Sequence, residues 1–240
     1  MGSANPQFPT TSWTLIRKVQ KGDEREATAA MEEICRQYWY PVYAFNRRQG
    51  FGEADAEDLT QDFFRALVTR ETIQAAREEK GRLRSFMLNM LREMNANHRR
   101  SRATEKRGGR AVIVSLDETD AEERYRHEPA GITDPARLFD RAWAERLLAA
   151  ATERLREDFE EGDNLEDFEQ LREYLPLGDQ GTPYAAAAAK LGVKEGALRL
   201  QIHRMRKRYA KHLEAEIAQT VADPAEQKAE LAYLLEVVGR

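Results

Sequence analysis

The chain has 240 residues, of which 33% are charged and 41% hydrophobic, and its formal net charge is -4 at pH 7. This composition is typical of a soluble helical protein, and the length predicts one or two domains. The longest apolar run, residues 184–189, is far below the ~18 residues of a membrane-spanning helix, and the N-terminus lacks a signal-like pattern. We therefore expect a cytoplasmic protein with no membrane partner. Cys35 is the single cysteine, which excludes an internal disulfide and a thiolate metal cage.

Two helices are predicted after a loose N-terminus at residues 1–11. The first is short, covers residues 13–20 and is closed by Gly22. The second starts at Asp23 and ends before Gly50, because apolar residues recur at spacings of three and four. These residues are Ala27, Met31, Ile34, Tyr38, Val42 and Phe45.

The third predicted helix carries a stripe of carboxylates. Its apolar face consists of Ala56, Leu59, Phe63, Ala66 and Leu67, which places Phe64 away from the core, as on a docking surface. Beside that face lie Asp55, Asp58 and Asp62, whose like charges repel one another at helical spacing. A basic partner surface would relieve this repulsion. Two alternatives stay open: a solvated face favoured by the helix dipole, and a divalent-metal site, which ranks last because no histidine lies nearby.

A strongly basic helix follows. Residues 80–110 contain ten Lys or Arg residues against two acidic residues. A core stripe is formed by Leu83, Phe86, Met87, Met90, Leu91 and Met94, while Asn95, Asn97 and His98 interleave with the arginines. Cations and amides contact phosphates and base edges, so this helix predicts a nucleic-acid surface.

The middle of the chain is acidic. Residues 108–134 are predicted to be a linker, and residues 115–173 contain 19 acidic against 8 basic residues. This segment could hold the two basic ends apart or fold back on them when nucleic acid is absent. A long helix is expected from Pro135, and a shorter one at residues 165–175.

The segment 183–209 has the pattern of a helix-turn-helix. A first helix runs from Pro183 through five alanines to Leu191, and Gly192 is suited to the turn. The second helix places Leu198, Ile202, Met205 and Tyr209 on one face. Its outward side carries Leu200, His203, Arg204 and Lys207, with Arg199 at the flank. Residues 194–212 contain seven Lys or Arg residues against one acidic residue, which favours DNA contact over an ordinary helical hairpin with a solvated face.

A last amphipathic helix is predicted after Asp223 and Pro224, with Leu231, Leu234, Leu235 and Val238 on its apolar face. We expect it to extend the core. An inhibitory lid and a partner-binding site are the two alternatives.

Three segments in this order resemble the extracytoplasmic-function type of bacterial RNA polymerase sigma factor. They are DAEDLTQDFF at residues 55–64, RLRSFMLNMLREMNANHRR at 82–100 and LGVKEGALRLQIHRMRKR at 191–208. The resemblance implies an all-α fold of two helical domains joined by a linker. Residues 12–107 would form a sigma region 2-like domain, 108–134 the linker, 135–220 a region 4-like domain with the helix-turn-helix, and 221–240 a C-terminal helical extension.

The resemblance also implies a role for each basic or acidic surface. In the family, the acidic helix docks on core RNA polymerase, and the matching residues are Asp55, Glu57, Asp58, Gln61 and Asp62. The -10 promoter element is held as a melted strand, and the matching residues are Lys80, Arg82, Arg84, Phe86, Asn97, Arg99 and Arg100. The -35 element is read as duplex, and the matching residues are Lys194, Arg199, Leu200, His203, Arg204 and Lys207.

The expected function is therefore that of a sigma factor, with no enzymatic activity, cofactor or metal. The expected partners are core RNA polymerase and promoter DNA, and an anti-sigma factor or other inhibitor is a further candidate. Departures from the family pattern at Phe86, Ala186 and Ala197 leave the promoter sequence open. The alternatives are a stand-alone helix-turn-helix regulator that does not bind polymerase, and a nucleic-acid enzyme that uses the carboxylate stripe with a metal.

Overall fold

The computed structural model describes residues 13–69, 72, 76, 82–102, 118–176, 178, 182–221 and 223–239. All regular secondary structure in these residues is helical, which confirms the all-α prediction. The predicted loose N-terminus and Lys80 lie outside the described residues. The chain divides into two compact units, one formed by residues 1–144 together with 218–240 and the other by residues 145–217.

The first unit contains most of the helices. They are α1 (Trp13–Lys21), α2 (Glu24–Arg48), α3 (Glu53–Val68), α4 (Leu83–Arg102), α5 (Glu118–Arg126), the first ten residues of α6 (Pro135–Glu161) and, at the end of the chain, the last helix (Pro224–Val238). Helix α2 begins where the sequence predicts, because the Asp23 carboxylate accepts a hydrogen bond of 2.8 Å from the Glu26 amide.

Helix α3 packs on α2, and both of its phenylalanines are buried. The predicted burial of Ala56, Leu59, Phe63 and Leu67 is confirmed. The outward position predicted for Phe64 is wrong, because this residue is 2% exposed and stacks on Trp39 with ring centroids 5.8 Å apart. Because α2 presents large aromatic side chains, α3 buries a wider face than the stripe of residues that helical spacing predicts.

A buried polar chain joins α2, α3 and α4. The Thr60 hydroxyl donates to the Ala56 carbonyl at 2.7 Å and accepts from the Asn46 amide at 3.2 Å. Asn95 donates in turn to the Asn46 side chain at 2.8 Å. Asn95 is therefore a core residue, and the nucleic-acid surface expected around it does not include it. Buried amides need partners, and these amides satisfy one another.

The described part of the segment predicted to be a linker, residues 118–134, includes a helix. Residues 118–126 form helix α5, whose Glu122 carboxylate is buried and accepts from Nε and Nη2 of Arg47, each at 2.9 Å. Tyr43 donates a further hydrogen bond to the same carboxylate. Arg124 lies 3.6 Å from the centre of the Tyr40 ring. The acidic composition of this segment predicts a solvated chain, but an arginine of α2 compensates one of its charges.

The C-terminal end of the chain belongs to the first unit from residue 218 onward. The backbone N–H of Trp13 donates to the Gln219 carbonyl at 3.1 Å, and that of Leu83 donates to the Thr220 carbonyl at 3.4 Å. These bonds satisfy first-turn amides of α1 and α4 that have no partner within their own helices. In the last helix Leu234 and Val237 are buried, whereas Leu235, which was predicted on the apolar face, is 42% exposed.

The second unit consists of the remainder of α6, then α7 (Leu165–Leu171), a 3-10 turn (Arg172–Tyr174), α8 (Tyr184–Leu191) and α9 (Glu195–Ala218). The last helix of the chain is therefore α10. The shorter helix expected at residues 165–175 is confirmed by α7 and the turn after it. Within the described residues, no helix combines the length and apolar character needed to cross a membrane.

Candidate functional site

The turn between α8 and α9 has the geometry that the sequence predicts. Gly192 has φ of +67°, a left-handed conformation that costs a glycine nothing sterically. The Val193 amide donates back to the Ala188 carbonyl at 3.0 Å, which closes the C-terminal end of α8. Ala187 and Ala188 are buried, so the alanine run allows close packing. The two helices are thus joined by a short rigid turn.

Helix α9 presents one buried and one exposed face. The predicted core residues Leu198, Ile202, Met205 and Tyr209 are all buried, and the Tyr209 hydroxyl donates to the Leu148 carbonyl at 3.2 Å. The six residues predicted to contact DNA are all exposed, and Leu200 is 49% exposed. These six are Lys194, Arg199, Leu200, His203, Arg204 and Lys207.

Contacts within the second unit sort the cations of α9 into two groups. Arg206 donates to the Tyr174 carbonyl at 2.9 Å, and Arg208 lies over the Phe159 ring at 4.2 Å. Both support the fold. Among the described residues no hydrogen bond or ion pair holds Arg204 or Lys207, which leaves their charges available to a ligand.

Arg199 is held in a fixed position at the edge of this face. Its Nη2 and Nε lie 2.6 and 2.9 Å from Oε1 of Glu195. The guanidinium lies 4.7 Å from the centre of the Tyr184 ring on α8. An exposed ion pair contributes little to stability, but the ring and the carboxylate together restrict the side chain to one orientation.

The acidic side of α3 is accessible. Asp58 and Asp62 are exposed, while Asp55, Glu57 and Gln61 are partly exposed. Asp62 forms an ion pair with Arg65 one turn later, which offsets part of its charge. In the described part of the chain, no cluster of His, Cys, Asp or Glu side chains is suited to hold a metal ion.

The residues predicted to contact the melted strand are divided between the two ends of α4. At the C-terminal end Asn97, Arg99 and Arg100 are all exposed. Arg99 donates to the Gln49 carbonyl at 2.9 Å and to its side chain at 2.7 Å, and it lies 5.3 Å from the Phe51 ring centre. Arg100 donates to Asn97 at 2.8 Å. This end forms an exposed group of cations and an amide.

The N-terminal end of α4 lies on the order of 20 Å away, at 1.5 Å per helical residue. Phe86 there is partly buried. The Arg82 side chain is 28% exposed and forms ion pairs with Glu226 at 3.2 Å and with Glu230 at 2.9 Å. The two ends of α4 therefore differ in how open they are to a ligand.

Arg84 is enclosed. Its Nε lies 3.0 Å from Oε1 of Glu230, and its Nη1 lies 2.9 Å from Oδ1 of Asp140. Burial alone would lower the pKa of this guanidinium, but the hydrogen bond to Glu230 and the charge of Asp140 raise it. Arg84 is thus a buried cation. A count of charges along the sequence could not reveal these partners, because Glu230 is 146 residues away.

One curated protein resembles the chain over most of its length. It is the ECF RNA polymerase sigma factor SigE of Mycolicibacterium smegmatis, which is 27% identical over 227 residues that cover 89% of this chain and 76% of the relative. No protein-family model and no solved structure matches the chain. The similarity agrees at the level of the family with the resemblance seen in the three sequence segments.

Proposed function

We propose that the protein is a sigma factor that binds core RNA polymerase and directs promoter recognition and DNA melting. The observation that carries this proposal is the exposed face of α9, on which no hydrogen bond or ion pair among the described residues holds Arg204 or Lys207, and whose opposite face is fixed in a core. The similarity to an RNA polymerase sigma factor over 89% of the chain supports the same function.

In this proposal α8 and α9 act as a helix-turn-helix that reads the -35 element as duplex DNA. The N-terminal half of α9 enters the major groove, as recognition helices do. Arg204 and Lys207 contact phosphates or guanine edges, and Leu200 meets a thymine methyl group or a sugar. Arg199 enters the groove already oriented by Glu195, so little side-chain entropy is lost on binding.

The acidic side of α3 is proposed to bind a basic surface of core RNA polymerase. Asp58 and Asp62 are its exposed carboxylates, and opposite charges across an interface favour association and orient the partners. The C-terminal end of α4 is proposed to hold the melted strand, with Arg99 and Arg100 on phosphates and Asn97 on an exposed base.

Association with polymerase is tested by co-migration of the purified protein with bacterial core RNA polymerase. We expect Asp58→Lys with Asp62→Lys to weaken the complex by on the order of tenfold or more, because like charges then face each other. The matched control is Glu32→Lys with Glu214→Lys, which makes the same charge change at exposed positions of α2 and α9. A wild-type protein that does not co-migrate while still binding DNA would refute the proposal and favour a stand-alone regulator.

Promoter recognition is tested by run-off transcription with core polymerase on genomic fragments, followed by binding of the protein to a recovered fragment. Arg204→Ala should weaken specific binding by about 1–3 kcal/mol if the side chain contacts a base edge. Lys211→Ala, at an exposed position near the C-terminal half of the same helix, serves as the control. If both variants lose the same amount of binding free energy, Arg204 contributes only non-specific electrostatic attraction to DNA.

A further inference from the structure

Helix α10 carries two carboxylates that hold Arg82. Glu226 and Glu230 lie one helical turn apart, so both face the same side of α10. Nη2 of Arg82 lies 3.2 Å from Oε2 of Glu226, and Nη1 lies 2.9 Å from Oε2 of Glu230. The guanidinium therefore bridges two acidic residues of a helix that follows it by more than a hundred residues along the chain.

The same helix closes the site around Arg84. Nε and Nη2 of Arg84 donate to the two oxygens of Glu230 at 3.0 and 3.3 Å, and Nη1 donates to Asp140 of α6 at 2.9 Å. The ring of Tyr233 covers one face of the guanidinium at 4.7 Å. Each of the three guanidinium nitrogens thus has a carboxylate partner, and the side chain is 10% exposed.

We propose that α10 is an intramolecular mask, which occupies Arg82 and Arg84 with carboxylates in place of DNA phosphates. The proposal rests on the proposed function, in which the N-terminal end of α4 meets the melted strand. A guanidinium presents the same forked donors to a carboxylate and to a phosphate, so the two acceptors compete for it. Binding of DNA at this end of α4 therefore requires that α10 moves away.

The attachment of α10 is suited to such a displacement. Its buried apolar side chains in the described structure are Leu234 and Val237. Leu235 is 42% exposed, and the Glu226 side chain is 51% exposed. When α10 leaves, Arg84 keeps its ion pair with Asp140, so no cation is left uncompensated inside the unit.

A purely structural network would behave differently. If the carboxylates of α10 only stabilise the fold, their neutralisation lowers the melting temperature and leaves DNA binding unchanged. If they mask the arginines, neutralisation raises the affinity for single-stranded DNA. The affinity and its salt dependence therefore separate the two roles.

The first test is Glu226→Gln with Glu230→Gln in the full chain, assayed by fluorescence anisotropy with labelled oligo(dT) of about 20 nucleotides. We expect about tenfold tighter binding. Each additional phosphate contact should also steepen the slope of log K against log salt by about 0.7 for single strands. Adding Arg82→Ala and Arg84→Ala to this variant should abolish both gains.

The matched control is Glu32→Gln with Glu214→Gln, which removes the same two charges from exposed positions on other helices. Equal affinity and slope in the two double variants, both folded by circular dichroism, would overturn the proposal. Co-migration of the wild-type protein with core polymerase is measured in parallel. Its failure would count against the sigma-factor function, whereas the masking test needs no polymerase.

A second test uses the wild-type protein and so does not depend on the folding of any variant. Hydrogen exchange of the backbone amides in residues 224–238 is measured with and without saturating oligo(dT). Displacement of α10 by DNA predicts faster exchange throughout this helix, while the amides of α2 stay protected. Unchanged or slower exchange in α10 with the oligonucleotide bound would overturn the proposal.

Discussion

The docking of α5 on α2 predicts a large loss of stability for Glu122→Ala. The substitution removes the acceptor of two hydrogen bonds from Arg47, each 2.9 Å long, and of one from Tyr43. Arg47 keeps its bond to the Phe51 carbonyl at 2.7 Å. The variant therefore retains a largely enclosed cation and a buried hydroxyl that have both lost their carboxylate partner.

The size of the loss follows from the burial of the pair. Removing one partner of a buried ion pair costs about 3–5 kcal/mol. The Arg47 side chain is 20% exposed, so water screens part of the charge and the lower end, about 3 kcal/mol, applies. For a unit of this size each kcal/mol lowers the melting temperature by about 2–4 °C, which gives a decrease of about 6–12 °C.

Tryptophan fluorescence is the appropriate assay for this loss. Trp13, Trp39 and Trp143 are the three tryptophans of the chain, and all are buried in the first unit. Thermal melts followed by their emission therefore report on the unit that contains α5. The control is Glu123→Ala, the same change at the exposed neighbouring position. A melting temperature for Glu122→Ala within about 2 °C of the control would refute the docking of α5.

Three further predictions concern pH, reactivity and the turn before α9. Burial alone would raise the pKa of Glu122, but the hydrogen bonds from its partners lower it. The stability that the Glu122 carboxylate gives to the fold is therefore present at neutral pH and is lost as the pH falls through the lowered pKa. The stabilities of wild type and Glu122→Gln, measured by urea unfolding, should accordingly converge below about pH 4. Burial raises the pKa of Cys35 to about 11. Iodoacetamide should therefore alkylate Cys35 slowly in the folded protein at neutral pH and rapidly in urea. Equal alkylation rates in the two conditions would contradict the burial of Cys35. Gly192→Ala should lower the free energy of unfolding by about 1 kcal/mol, because Gly192 has a positive φ. Gly196→Ala, in the open first turn of α9, should cause no such loss. Urea unfolding followed by far-UV circular dichroism measures both variants, and equal losses would contradict the assigned turn.

Sequence alone determined most of the helices and the direction in which most of their faces point. The burial of Leu198, Ile202, Met205 and Tyr209 in α9, the cap at Asp23 and the left-handed turn at Gly192 were all predictable. Each depends on residues within about four positions along the chain, where helical geometry sets the distances. The exposure of Arg199, Leu200, His203, Arg204 and Lys207 on α9 follows from the same periodicity.

Only the tertiary structure decided which of the charged and polar residues remain available to a partner. Asn95 and Phe64 are buried by neighbouring helices. Glu122, in the segment expected to be a linker, binds Arg47 of α2. Arg84, counted with the other cations of α4, is enclosed by carboxylates 56 and 146 residues away. Charge counts along a sequence treat every cation as solvated, whereas in the fold its availability depends on which distant acceptors packing brings within hydrogen-bonding distance.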